Sequence, residues 1–364
     1  MHEARHIPSS NRLRRRVGEK MVRLVKHGIR SFVRSRAFHP LASLIAACDT
    51  RRPNTLRVLT YHRIGCESDA PHLNPVTLSA SPEAFEQHLQ LLVDRFHVVS
   101  IEEVLAAFHG QFELPPQSVL ITFDDAYTDF ATVAWPILRH FDMPALLFVP
   151  TAFPVNSQLA FWWDDLYRCV YCREDAVSIE TAVGQFPITT ARQKATALTA
   201  ISDHFESLPV GESESFVKGL VDKNDIRAAN ESVMGWDQIR ALVDQGLGVG
   251  VHTRTHPILP NMSASDARSE IVHARDDLRR EVSNVANVFA YPGGAFRNEA
   301  VEILRDADFE LAFTTCRGAN VIGACDRFRL RRINIGRATT NAVLNAQLTL
   351  NPKWFNRFCR MASD

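Results

Sequence analysis

No stretch of the chain approaches the ~20 consecutive apolar residues that a membrane-spanning helix needs. The best candidate, residues 41–48, is closed by Asp49, Arg51 and Arg52. The first basic residues are not followed by an apolar core or a small-residue cleavage site, so no secretory leader is expected. Cysteine is scarce, 7 in 364 residues at irregular positions, which argues against a disulfide framework and for a reducing compartment. Cys169 and Cys172 form a lone CxxC without a second pair nearby, so helix packing is expected there rather than structural zinc. Net charge is also missing, with 41 Lys and Arg against 41 Asp and Glu. That balance is the one expected of an ordinary globular protein.

The neutrality conceals an asymmetry. Ten bases between residues 12 and 36 face Glu19 alone. Leu13, Val17, Met21, Leu24, Val25, Ile29, Phe32 and Val33 fall between them at roughly helical spacing, which predicts a basic amphipathic helix in an extension covering residues 1–55. Such a helix suits peripheral contact with an anionic membrane or a partner, or plain docking on the domain; nucleic acid is the weaker reading.

From residue 56 onward, short apolar runs alternate with longer amphipathic stretches, the pattern of repeated β/α units. Strands are predicted at residues 58–61, 98–99, 119–123, 145–149, 247–251, 289–291, 311–315 and 328–335. Between them, helices start at Ser81-Pro82, which reads as an N-cap followed by proline at the first helical position, and span residues 102–109, 236–245, 263–282 and 297–307. The expected fold is α/β, a distorted (β/α) barrel of seven or eight units over residues 56–340, followed by a tail at 341–364. The rhythm breaks at about residues 155–232, read as a helix-rich insertion poor in strand formers. Trp162 and Trp163, which open it, suit either stacking on sugar rings or packing of the insertion on the barrel, and Asp164 and Asp165 read as solvated or capping residues.

Two strand ends carry ligand-type residues. "VLITFDD" ends an inside strand in Asp124 and Asp125, and "VHTRTHP" follows another with His252 and His256. Parallel β/α folds keep their chemistry at these ends. Two histidines and one carboxylate leave open coordination positions, as a catalytic metal requires, and a second carboxylate can face bound water. Helix capping is the alternative for the aspartates, and an HxxxH pair alone is weak.

"TFDD", "HTRTHP" and "FAYPGG" together resemble the polysaccharide deacetylase family, carbohydrate esterase family 4, over roughly residues 56–337. "LTYHRIG" and "FWWDDL" are similar to members associated with bacterial cell-surface and exopolysaccharide synthesis. The resemblance implies a hydrolase that removes N-acetyl groups from amino sugars of a surface polysaccharide or its precursor, with a divalent metal, expected to be zinc. It implies Asp125, His252 and His256 as metal ligands and Asp124 as the base. The loop from Tyr291 to Gly294 would offer a backbone N–H to the developing oxyanion, and Tyr291, Gly293 and Trp163 would contact substrate. The chain departs from the family at two places. Its third motif, usually Arg-x-Pro-Tyr, reads Ala290-Tyr291-Pro292-Gly293, so Arg332 in "LRRINIG" is expected to supply the missing charge. The late leucine-x-histidine motif is absent, and His273, the only histidine after His256, falls mid-helix. His62 is therefore the candidate general acid, similar to surface-polysaccharide deacetylases with an early tyrosine-histidine pair; a buried packing histidine is the alternative. Two other functions remain open, a carbohydrate-binding or regulatory relative without turnover and a barrel hydrolase of another amide or ester. A cytoplasmic or inner-membrane-surface location is the expectation.

Overall fold

The computed structural model describes residues 53–156, 159–173, 176–226, 232–283 and 285–349. The predicted basic helix and most of the tail lie outside them. Two units are present: one spans Arg52–Thr339, and the other, from Thr340, contributes helix α10 (Asn341–Thr349) to the described residues.

The first unit is a closed barrel of seven parallel strands: β1 (Thr55–Tyr61), β5 (Ser118–Phe123), β6 (Leu146–Val149), β9 (Gly248–Val251), β10 (Val288–Ala290), β11 (Leu311–Arg317) and β13 (Leu330–Asn334). Closure comes from β1, which pairs with β5 on one side and β13 on the other. Two short strands extend the ring: β12 (Ala319–Val321) runs antiparallel to β1, and β4 (His97–Val98) lies parallel to β5. β2 (Arg63–Ile64) and β3 (Leu78–Ala80) form a separate pair beyond β1.

Alternation along the strands sorts the side chains. Leu56, Val58, Leu120, Leu146, Phe148, Val288, Ala290, Leu311, Phe313 and Leu330 share one parity and pack into one core. Helix α2 (Ile101–Phe108), started by a Ser100–Glu103 capping box, adds Ile101, Val104 and Ala107 to that core at the amino-terminal ends of the strands. Gly250 has the inward parity on β9, and a Cβ there would lie 2.8 Å from Phe148 and 2.9 Å from Val288. Outward residues meet helices: Tyr61 packs edge-on against Phe85 of α1 (Pro82–Arg95), and Phe123 against Phe130.

The outer helices include α3 (Trp135–His140), α7 (Trp236–Val243), α8 (Ala264–Glu281) and α9 (Asn298–Asp306). The insertion holds α4 (Trp162–Tyr171), α5 (Ala191–Ser207) and α6 (Val210–Lys223) around its own apolar core, which includes Leu166, Ile179, Ile201 and Leu220. It also contains an antiparallel hairpin, β7 (Ser178–Thr181) with β8 (Gly184–Pro187), where the sequence reading expected few strands. Ile179 supplies the apolar face that fixes it, since a two-stranded ribbon needs packing against helices to persist. Cys169 is buried and Cys172 exposed, both free thiols.

Candidate active site

The inward positions change character towards the carboxyl ends of the strands. After Val58 comes Thr60, after Leu120 comes Thr122, and after Leu330 comes Arg332, all fully buried. One step further the same parity delivers His62, Asp124 and His252 at the mouth. The inner core thus gives way to a polar layer where the strands end.

Arg332 is 0% exposed and forks onto Asp124, with Nη1 to Oδ1 and Nη2 to Oδ2 both 2.8 Å. Its Nε donates to the Thr314 carbonyl at 2.9 Å, and its guanidinium lies 5.7 Å from the Phe148 ring centre. Burial alone would raise the Asp124 carboxyl, but Arg332, with His252 and His62, outweighs it and holds the group well below the usual carboxylate range. The arginine expected from β13 therefore sits on the aspartate at the end of β5.

Asp125 is the first residue past that parity, and its φ of 74° turns the carboxylate away from Asp124's direction. Its Oδ1 lies 3.5 Å from His252 Nε2 and 3.4 Å from His256 Nε2, yet has no hydrogen-bond partner. The helix-capping alternative finds no support in that unpaired oxygen. Ligand atoms about 2.0–2.1 Å from a tetrahedral zinc lie about 3.3–3.4 Å apart, so the two separations and the orphaned oxygen fit a divalent cation. Within this set the three ligand atoms lie within 4.8 Å of one another. His252 Nδ1 is 2.8 Å from the Ala290 carbonyl, which fixes the tautomer that leaves Nε2 as a donor to an ion. Burial pushes His256 down to about 4, so it is neutral at pH 7 and ready to ligate. Burial also opposes a charge on His252, but the Asp125 and Asp124 carboxylates reverse that and raise it.

The loop carrying the histidines is held from α8. Glu270 accepts the Arg254 and Thr255 N–H groups at 2.9 and 2.8 Å and the Thr255 hydroxyl at 3.0 Å. Asp277, two turns along, takes Arg254 Nε at 3.1 Å and the Thr151 hydroxyl at 3.1 Å. These clamps offset left-handed backbone at Thr253 and His256, φ 62° and 58°.

These strand-end motifs lie within residues 112–312, which match the family model described as polysaccharide deacetylase. The chain belongs to the polysaccharide deacetylase family. Over 93 residues it is 32% identical to the poly-β-1,6-N-acetyl-D-glucosamine N-deacetylase of Escherichia coli K12, covering 26% of this chain and 13% of that one. Over 101 residues it is 31% identical to the putative polysaccharide deacetylase YxkH of Bacillus subtilis 168, covering 28% and 33%. The chain thus spans a third or less of these curated relatives. The Streptococcus pyogenes deacetylase PplD, solved in complex with acetate, aligns with a TM-score of 0.54 at 22% identity, over 82% of this chain and 99% of that one. IcaB from Ammonifex degensii aligns at 0.52 and 22%, over 82% and 98%. At such identity the likeness is one of fold.

The remaining expectations for this deacetylase-family chain divide. His62 follows β1 at the inward parity of Val58 and Thr60 and donates its backbone N–H to the Ser79 hydroxyl at 2.9 Å, so the strand carries it to the same mouth. Trp162 stacks on Phe205 inside the insertion, 4.1 Å between centroids, whereas Trp163 meets His256 edge-to-face at 4.9 Å. Tyr291, expected to contact substrate, has the outward parity of β10, is fully buried, stacks on Phe296 and donates its hydroxyl to the Phe328 carbonyl at 3.1 Å. Its N–H is bonded to Phe313, and that of Gly294 to Tyr291. Gly293, at φ 60°, is the remaining N–H of that turn. Asp164 corrects the expectation of a solvated or capping side chain: it is 1% exposed and accepts on its two oxygens from the distant Asn74 and Tyr127. Asp165 pairs with Arg168.

Sequence reasoning missed two supporting pairs. Arg63, directly after His62, donates Nε to Asp129 at 2.8 Å, tying the turn after β1 to the one after β5. "TFDDAYTD" repeats an acid five and four positions after the first two, a signal for a further carboxylate serving that loop. Glu270 offered no signal, since it is one acid among many on a polar helix face.

Proposed function

We propose that this protein is a metal-dependent hydrolase that removes N-acetyl groups from amino sugars of a cell-surface polysaccharide or its precursor. The observation carrying this reading is the division of labour between adjacent aspartates: Asp124 is locked as an anion by Arg332, while Asp125 presents an unpaired oxygen to His252 and His256. A pure binding protein needs no such pair.

Asp125, His252 and His256 would hold the cation, zinc being the best match to one oxygen and two nitrogen donors. A bound cation supplies Lewis-acid chemistry, lowering the pKa of water towards ~7 and polarising an amide carbonyl, so a weak carboxylate base suffices. Asp124 takes the proton from the attacking water, its orientation fixed by the two Arg332 bonds. The Gly293 N–H receives the oxyanion. His62, at the end of β1, gives its proton to the departing amine. Trp163 offers an indole face to a pyranose ring. On sequence grounds the basic segment at residues 12–36 keeps the enzyme near lipid-linked substrate at a membrane surface. No helix among the described residues is long and apolar enough to cross a membrane.

The test is acetate release from N-acetylglucosamine oligomers by protein of quantified metal content. Release that disappears in Asp124→Asn with metal retained supports the assignment, whereas bound metal without release by the wild type leaves a different acyl substrate or a binding protein. His62→Ala should cut turnover heavily at unchanged metal content; lost metal with intact turnover per bound ion would remove the acid assignment. For the membrane contact, equal flotation on anionic vesicles by a chain starting at residue 56 would remove the idea.

A further inference from the structure

Asp164 is a buried carboxylate that none of the steps above uses. It lies in the first turn of α4, where the insertion leaves the barrel, and two distant parts of the chain converge on it. Oδ1 accepts the backbone N–H of Asn74 at 2.7 Å, from the segment between β2 and β3. Oδ2 accepts the Tyr127 hydroxyl at 2.8 Å, two residues beyond Asp125. The Tyr127 oxygen in turn accepts the Trp163 indole N–H, also at 2.8 Å. The direction of this chain is fixed by chemistry. An indole nitrogen can only donate, and a phenol has one proton, so the last member must be an acceptor.

What the chain holds in place is the outer ring of a stack. Phe153 lies on Phe161 at 4.3 Å and Phe161 on Trp163 at 4.5 Å, the latter pair only 7° from parallel. Phe153 and Phe161 are buried, while Trp163, the terminal ring, is half-buried and touches His256 by its edge. A tryptophan at the end of such a stack packs one face on its neighbour, and its rotation about the stack is set by where its N–H points.

We propose that Asp164 is a substrate-positioning residue: through Tyr127 it fixes the Trp163 indole as the wall against which the sugar ring of the reacting unit docks. This rests on the glycan reading above and deepens it, because it makes the insertion a determinant of sugar binding. The carboxylate itself touches neither substrate nor the metal ligands.

The test uses the full chain in its metal-loaded form, with the N-acetylglucosamine tetramer as probe. Asp164→Asn replaces an acceptor by a group that can no longer accept from both Asn74 and Tyr127, and Tyr127→Phe removes one oxygen without changing the ring. Each should raise KM for the tetramer about tenfold, the scale of a lost hydrogen bond to a charged group, with a much smaller change in kcat. Metal content should stay at the wild-type value. The double variant should be no worse than either single one, since both break the same chain. Quenching of tryptophan fluorescence by the tetramer, measured separately from turnover, should weaken in parallel. If either variant folds and keeps the wild-type KM, or loses metal, or if the two effects simply add, the proposal is overturned. A wild type that neither binds nor deacetylates the tetramer overturns the glycan reading and this inference with it, whereas a wild type that does both while Tyr127→Phe is silent overturns the inference alone.

Discussion

Replacing Arg332 by Met should damage this protein in two separable ways. The guanidinium is fully buried and makes two 2.8 Å bonds to a carboxylate that is itself 4% exposed. With charge centres about 4 Å apart and an effective dielectric of about 20, the attraction is about 4 kcal/mol. Removing one partner leaves Asp124 charged and desolvated, and losses of about 3–5 kcal/mol are the rule for such changes. The cost should be recovered in part by a second change, Asp124→Asn, which removes the stranded charge. Urea unfolding of the wild type, both single variants and the double variant gives the coupling free energy. We expect at least about 2 kcal/mol, and a value under about 0.5 kcal/mol, the level of independent sites, would refute the reasoning.

The pH dependence supplies a second reading of the same variant. In the folded protein the Asp124 carboxyl is depressed, because Arg332 overcomes the cost of burial. Its stabilisation is therefore fully present above the ordinary carboxylate range and lost only as pH falls through the depressed value. Without Arg332 the burial cost remains and the carboxyl rises, so the acid limb of kcat/KM should move to higher pH in Arg332→Met. An unmoved limb would mean that Asp124 is not the group whose ionisation governs turnover.

Three further perturbations follow from the geometry. Glu270→Ala frees the Arg254 and Thr255 N–H groups and should weaken metal binding about 10–100-fold by calorimetry, as lost outer-shell support does, with the fold intact by circular dichroism. Gly250→Ala pushes a methyl into Phe148 and Val288 at under 3 Å, and should cost about 1–3 kcal/mol in urea unfolding, the scale of overpacking. Burial raises Asp129 to about 6 against the pull of Arg63, so the folded state holds the extra proton between about 4 and 6 and stability falls as pH rises through that window; Asp129→Asn should flatten this slope.

Much of the barrel and its polar mouth was legible because both depend on local alternation. A strand of period two that ends in "TFDD" sends Asp124 inward and frees Asp125 to turn aside, whatever surrounds it. The same parity separates Arg331 from Arg332: only the latter points into the barrel, while Arg331 bonds the Arg317 carbonyl. Features that depend on distant partners were not legible. Asp164 reads as a surface acid at a helix start, and only the arrival of Asn74 and Tyr127, 90 and 37 residues away, makes it a buried junction. The burial of the Tyr291 side chain was not legible either, since it depends on Phe328, 37 residues away, whose carbonyl takes its hydroxyl. The hairpin of the insertion was missed because its strands are four residues each and one of them is largely exposed.

The displaced arginine shows what the barrel requires of its sequence. The family pattern places the charge beside the turn after β10, and here that position is Ala290, whose carbonyl instead receives His252 Nδ1. Arg332 enters from β13, two strands further round the ring, yet reaches the same kind of carboxylate with both nitrogens. This exchange is possible because inward side chains of a closed barrel converge near one axis, so a long residue from either strand can span to β5. It carries a condition. The intervening layer must be small and polar enough to let the guanidinium through, as Thr122 and the Thr314 carbonyl are, each accepting a bond on the way. Thr122→Val, which keeps the volume but removes that acceptor, should therefore weaken the Arg332–Asp124 coupling measured by the same double-mutant cycle; an unchanged coupling would show that the fork needs no help from the layer beneath it.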